Sequence, residues 1–255
     1  MLDLLILGCG FTGRRVAARF VAKGARVTVT TRAPERLVIP GADVIGLASV
    51  PGRIAEGMLV LHSIPPDGSA GVLQLLGEAP ARVVYLSSTG VYGKAAFIDD
   101  RTPVDLSDER ARVRVSAEQE IVAGKWSSLI LRPAAIYGPG RGIQESIQRG
   151  SYSLSDTYVS RIYVDDLAAH VEAGLLTAEV RGAYPVADEE PCTSRQMAEF
   201  CGDLLGVSLG PGHEQPSRFS SNRRVDGSAI RRLLGVTLEY PSYRVGVPAA
   251  LGRRG

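Results

Sequence analysis

The run Leu4-Leu-Ile-Leu7 passes directly into Gly8-Cys-Gly-Phe-Thr-Gly13, which leads into a segment with helical spacing, Phe11–Lys23. Four apolar residues in a row suit a short strand covered on both faces. In the helix that follows, Val16, Phe20 and Val21 share one side. Each glycine of this spacing has its own reason. Gly8 makes the tight turn out of the strand, Gly10 lets backbone approach a pyrophosphate, and Gly13 lets the helix pack closely on the strand. The helix start at Phe11 and Thr12 then presents unpaired N–H groups and the positive end of its dipole to phosphate. The spacing alone is a weak signal. A strand before it and a helix after it are the context the mechanism requires, and dinucleotide binding is the expectation.

The alternation continues. Strand-like runs at Val27–Thr30, Ala42–Leu47, Met58–His62, Val83–Leu86 and Ser128–Leu131 are interleaved with helical segments at Val72–Leu76 and Glu109–Val122. Strands alternating with helices imply parallel pairing through right-handed crossovers. The predicted class is α/β, a Rossmann-type doubly wound parallel sheet. After Pro133 the pattern loosens. Tyr137-Gly-Pro-Gly-Arg141 is turn chemistry, and 140–157 is polar without a clear period. Helices are predicted at Val164–Leu176, at Ser194–Leu205 with Thr193 or Ser194 as N-cap and Gly206 as stop, and at Ser228–Leu234. Gly210–Asn222 reads as a loop and the last residues, Gly252 to Gly255, as a frayed tail. One domain over 1–255 is expected, with about 138–255 supplying a small C-terminal lobe on the substrate side; 255 residues suffice for such a core.

The end of the second strand bears on the choice of dinucleotide. NAD sites usually carry an acid there to hold the ribose hydroxyls. Here the strand ends Thr28-Val-Thr-Thr-Arg32, without one. Arg32 and Arg36 offer guanidinium forks for a 2′-phosphate, and Thr31 adds a hydroxyl. NADP(H) is therefore favoured over NAD(H). The net charge of +2 calls for neither nucleic acid nor an acidic membrane surface. No apolar run approaches the ~18 residues of a membrane helix, and Met1-Leu2-Asp3 enters a strand without the basic start of a signal peptide. Cys9, Cys192 and Cys201 have no metal-ligand spacing, so no metal is expected, and an odd, unframed set suits a reducing compartment. A cytoplasmic protein is expected, with no nucleic-acid or membrane partner.

Three further segments narrow the reading: Tyr85-Leu-Ser-Ser-Thr-Gly-Val-Tyr-Gly93, Leu131-Arg-Pro-Ala-Ala-Ile-Tyr-Gly-Pro-Gly140 and Arg161-Ile-Tyr-Val-Asp-Asp-Leu167. In their order and spacing, the chain resembles the extended short-chain dehydrogenases/reductases, the NAD(P)-dependent epimerase/dehydratase family, along nearly its whole length. It is most like a short, atypical branch, to which Asn222-Arg-Arg-Val-Asp226 and the stretch from Leu234 to Tyr243 are also similar. The resemblance implies an oxidoreductase or epimerase acting on a small carbonyl or sugar-type substrate. It implies Ser88 as the hydroxyl that hydrogen-bonds the substrate oxygen. It places Ser63, Ile64 and Pro65 along the cofactor, with Ser87 beside it, and Pro133 and Ile136 near the nicotinamide.

One departure stands out. The family carries Tyr-x-x-x-Lys on the helix after the Val-Tyr-Gly motif, with a glutamate four residues beyond the lysine. Glu118 fits that glutamate, which puts Arg114 at the lysine and Arg110 at the tyrosine. Arginine stays protonated and cannot shuttle a proton, although Arg114 can still donate to ribose or phosphate. Tyr137, on a loop beyond a strand end, and Tyr92 stand as candidate proton donors, with packing roles as their alternatives and water as another source. Tyr163 also falls in a motif near the expected cleft. His62 reads as a buried strand-end histidine; His170 lies on a helix, and His213 in a loop without a visible carboxylate partner. Asp165 and Asp166 read as helix-start acids complementing the dipole. Two functions stay open: an enzyme, and an NADP(H)-binding sensor without turnover. A monomer and a homodimer both remain possible; Arg110, Arg112 and Arg114 are as apt to stop helix-face pairing as to bind a partner.

Overall fold

β1 (Asp3–Leu7) lies inside a seven-stranded sheet, paired in parallel with β2 (Arg26–Thr30) on one side and β4 (Leu59–His62) on the other. Leu4 stands opposite Val27 and opposite Leu59. β3 (Ala42–Ile45), β5 (Arg82–Leu86), β6 (Ser127–Pro133) and β7 (Gly182–Val186) complete the order β7-β6-β5-β4-β1-β2-β3, with every pairing parallel. This computed structural model describes residues 1–66, 71, 73–152, 154–210 and 222–252. The architecture is the doubly wound sheet expected from the sequence. The strand order reverses between β1 and β4, and ligands of such sheets collect at the carboxyl ends of strands flanking that reversal.

Successive side chains of a strand face opposite ways, and the core follows that period. Leu4, Ile6, Val27, Val29, Leu61 and Leu129 pack with Val16, Ala17 and Phe20 of α1 (Phe11–Ala22). Leu5, Leu7, Val60, Val83, Tyr85 and Ile130 pack on the other face with Leu76 and with Ile121 of α2 (Glu109–Ala123). α2 starts where Asp108 accepts the Ala111 N–H at 2.9 Å. A short helix α3 (Ile143–Gln148) is followed by α4 (Val164–Leu176), α5 (Ser194–Leu205), α6 (Ser228–Leu234) and α7 (Tyr243–Gly252). Thr193 and Gln196 form a reciprocal capping box on α5, and Gly206 ends it in the left-handed conformation. Tyr137, Tyr163, Met197, Cys201, Tyr243 and Val247 form a separate buried cluster, against which Phe11 and Ile136 also pack.

Several expectations are corrected in detail. Leu73–Leu76 is a single 3-10 turn rather than a helix, and Val72 falls outside the described residues. β3 stops at Ile45, and Leu47–Arg53 coils into 3-10 turns. Asp165 and Asp166 do more than complement a dipole. Asp165 binds Arg15 of α1 at 2.9 Å. Asp166 is buried, and its carboxylate accepts the N–H groups of Glu239 (2.8 Å) and Tyr240 (3.0 Å), which ties the C-terminal segment to α4. β7 was not foreseen. Its Pro185 would break an interior strand, but an edge strand tolerates proline because one row of its N–H groups faces away from the sheet.

Arg82 makes one stability prediction concrete. Its guanidinium is buried with no ion pair among the described residues and donates to Gly174 O (2.9 Å), Ala178 O (3.2 Å), Val180 O and the Ser127 hydroxyl. It thereby serves carbonyls at and beyond the end of α4; burial pulls its pKa down to about 10. Arg82→Met keeps the apolar stem and orphans those acceptors. A loss of about 3 kcal/mol is expected in urea unfolding; a loss within the error of the wild-type value would mean that water takes over the carbonyls.

Candidate active site

The turn after β1 is held by backbone and side-chain bonds that leave no space for larger residues. Gly8 has φ +85° and donates its N–H to the Thr30 hydroxyl at 2.9 Å. A side chain on Gly8 would meet Ile64 at 2.9 Å, and one on Gly13 would meet Gly8 O at 3.1 Å. Ser63 donates its hydroxyl to Gly8 O, so the residue after β4 fixes the turn after β1. A Cβ on Gly10, by contrast, meets nothing within 4 Å among the described residues. Gly10 caps α1 without any side-chain acceptor over the first N–H groups. An open backbone face at Gly10 and an uncapped helix start fit a pyrophosphate. Thr12 is buried in the first turn, and the Phe11 ring carries the guanidinium of Arg15 at 4.3 Å and that of Arg141 at 5.3 Å.

At the end of β2, Thr31 is half-buried and Arg32 is exposed with no ion pair among the described residues. Arg36 is exposed and pairs with its neighbour Glu35 at 3.5 Å, a weak contact in solvent. Arg14 escaped the sequence reading. It follows the third glycine and is exposed; burial raises the Cys9 thiol to about 11, and the Arg14 charge works against that rise. A second cation therefore flanks the turn, and its position directly after Gly13 was the available signal.

The other half of the site is the end of β5. Ser88 is extended and caps a 3-10 turn, Thr89–Tyr92, by accepting the Gly90 N–H at 3.1 Å. That bond uses an oxygen lone pair and leaves the hydroxyl proton to donate. Arg114 reaches the same turn: its Cζ and Nε lie 3.8 Å from the Cβ position of Gly90, and Ser88 Oγ lies 3.4 Å from that point. Its Nη1 donates to Arg110 O at 3.1 Å, and Arg110 itself is exposed. Neither arginine has a carboxylate partner among the described residues.

Beneath the turn lies a buried network. Glu118 accepts Arg132 Nε (3.0 Å), Arg132 Nη2 (2.6 Å) and the Ser87 hydroxyl. Arg132 Nη1 donates to the Tyr92 hydroxyl at 3.1 Å. Ser87 thus turns toward α2, and Tyr92 is only 2% exposed. Tyr137 is equally buried. Its hydroxyl donates to Ser242 O at 3.4 Å, faces the backbone of Gly246, and is pushed up in pKa chiefly by burial. Pro133 ends β6, and Ile136 lies in the short strand Ala135–Tyr137 beside Arg161–Tyr163. Ile64 and Pro65 follow β4 directly.

His62 and His170 are buried and held neutral, each pulled down to about 4 by loss of solvation; His213 lies outside the described residues. Among the described residues no three His, Cys, Asp or Glu side chains come together as a metal site. No described helix is long and apolar enough to cross a membrane.

No family model matches the chain. Among solved structures, it is similar over 99% of both chains to a functionally unknown conserved protein from Silicibacter pomeroyi, at 30% identity and a TM-score of 0.84. It is also similar to a structure described as a putative NAD-dependent epimerase/dehydratase from Methylobacillus flagellatus, at 26% identity, 98% coverage of both and a TM-score of 0.82. In structure as in sequence, the chain resembles the NAD(P)-dependent epimerase/dehydratase family. Among curated proteins, the chain is 24% identical over 300 residues to a Streptomyces 3-diazoavenalumate denitrifying reductase, covering 96% of this chain and 98% of the relative.

Proposed function

We propose that this epimerase/dehydratase-family chain is an NADP(H)-dependent oxidoreductase acting on a small carbonyl or sugar-type substrate. The observation that carries the reading is Ser88. Its hydroxyl is oriented by the Gly90 N–H, keeps its proton for donation, and borders, as the Arg114 guanidinium does, the space over Gly90. A donor and a cation bordering one space suit an oxygen on which negative charge develops. Bound NADP(H) would supply the hydride chemistry.

The chain's own residues hold and orient. Gly8, Gly10, Phe11, Thr12 and Gly13 present backbone to the pyrophosphate. Thr31, Arg32 and Arg36, with Arg14 nearby, receive the 2′-phosphate. Ser63, Ile64 and Pro65 line the cofactor's path, Ser87 adjoins it through its backbone while its hydroxyl serves Glu118, and Pro133 and Ile136 back the nicotinamide end. Ser88 donates to the substrate oxygen. Arg114 stabilises the charge there and lies where the family's ribose-holding lysine is expected. Tyr92 and Tyr137 are each 2% exposed, and the Tyr137 hydroxyl is spent on Ser242 O, so the proton is assigned to water. The name of the Streptomyces relative, a reductase, supports the reductive direction.

The test is a titration with NADPH and NADH, followed by a screen of aldehydes and quinones for cofactor oxidation. Saturable NADPH binding with turnover is expected. Tight binding with no turnover on any probe would favour the sensor reading, for which the arginines at 110 and 114 are the argument. Failure to bind either dinucleotide would overturn both. Arg32→Glu sharpens the cofactor assignment. NADPH affinity is expected to fall more than about tenfold, or ~1.4 kcal/mol, with little change for NADH. Equal losses for the two would remove the 2′-phosphate role.

A further inference from the structure

Arg223 lies far from the turn in sequence yet holds both of its ends. Its Nη1 donates to Thr89 O at 2.7 Å, and its Nη2 donates to Gly93 O. Those two carbonyls open and close the 3-10 turn that Ser88 caps. The guanidinium is rigid, so two bonds from one planar fork fix the separation and tilt of the two carbonyls together. The backbone of Arg223 is anchored in its turn. Its N–H donates to Tyr158 O at 2.9 Å, and the next residue, Arg224, donates to Ala96 O at 2.8 Å. The flanking Ser160 hydroxyl donates to Arg223 O and accepts the Val225 N–H at 2.8 Å.

The charge is costly where it sits. Burial pulls the Arg223 pKa down, Nε is buried without a hydrogen-bond partner, and no carboxylate pairs with it among the described residues. An apolar side chain would fill the space without that desolvation cost. What it could not do is hold two carbonyls.

We propose that Arg223 is a positioning residue for Ser88: from the C-terminal segment it clamps both ends of the Thr89–Tyr92 turn and so aims the Ser88 hydroxyl. This rests on the role given to Ser88 above. The test compares wild type, Arg223→Met, Arg223→Lys and Ser88→Ala in the full chain with NADPH. Three quantities are measured: amide hydrogen exchange, NADPH affinity, and NADPH-dependent reduction of 4-nitrobenzaldehyde and phenanthrenequinone. In Arg223→Met, exchange over residues 88–93 is expected to rise about tenfold while the central strands keep their protection. The kcat is expected to fall about 100-fold, the scale for a displaced catalytic group, with NADPH affinity within about twofold. Lysine, which reaches one carbonyl at a time, should restore part of both. Unchanged protection of 88–93 in Arg223→Met overturns the proposal, whether or not the probes are turned over. So does an equal loss of protection across the whole sheet, which marks a general structural role. Ser88→Ala with full turnover sinks the parent reading alone, since the exchange result stands without it.

Discussion

Glu118→Ala is expected to destabilise the protein by about 3–5 kcal/mol, the scale for removing one partner of a buried ion pair. Arg132 would keep its charge with neither of its two carboxylate bonds, in a site where it is 9% exposed. Ser87 would lose its acceptor as well. Equilibrium unfolding in urea measures the effect directly. The double change Glu118→Leu with Arg132→Leu removes both charges and should recover most of the loss, because the penalty lies in stranding a charge more than in losing the pair. A single variant within 1 kcal/mol of wild type would show that water reaches the site. There is a functional side to the same change. Glu118 and Arg114 share α2, and Arg132 belongs to β6. A loosened α2 carries Arg114 away from Ser88, so activity should fall even where the folded fraction is restored by low temperature.

Ser88→Ala carries the second large effect. Loss of one preorganised donor to a developing oxyanion costs a factor of about 10²–10³ in kcat. The residue also caps the Thr89–Tyr92 turn, so a threonine variant is the control: it keeps the hydroxyl and should retain part of the rate. NADPH affinity is expected to be unchanged in both, since the phosphate turn lies on β1 and α1. Turnover equal to wild type in Ser88→Ala would place the chemistry elsewhere.

Local signals carried much of this. A strand, three spaced glycines and a helix start announce themselves within Leu4 to Gly13, because their physics is short-range. Doubly buried strands read as apolar runs for the same reason. What stayed hidden was non-local or rule-breaking. β7 contains Pro185, α7 contains Pro248, and α3 has only six residues inside a polar stretch. Each escapes a reading built on period and propensity. Arg132 looked like one residue of a motif, and only the fold shows that it joins Glu118 to Tyr92. The link from Arg223 to Thr89 spans 134 residues, and no window along the chain contains both. Tyr92 and Tyr137 had suitable addresses in the sequence; which way their hydroxyls point is a matter of packing.

Pro185 has a consequence outside the site. β7 forms one rim of the sheet, and an open rim is a template on which another chain can lay its own strand. Such copying needs an unbroken row of donors and acceptors. A proline near the end of β7 interrupts that row at the cost of no bond within the sheet. Pro185 itself is buried, so the carboxyl end of this rim is covered as well as broken, and the run left open to edge-to-edge association is only the three residues 182–184.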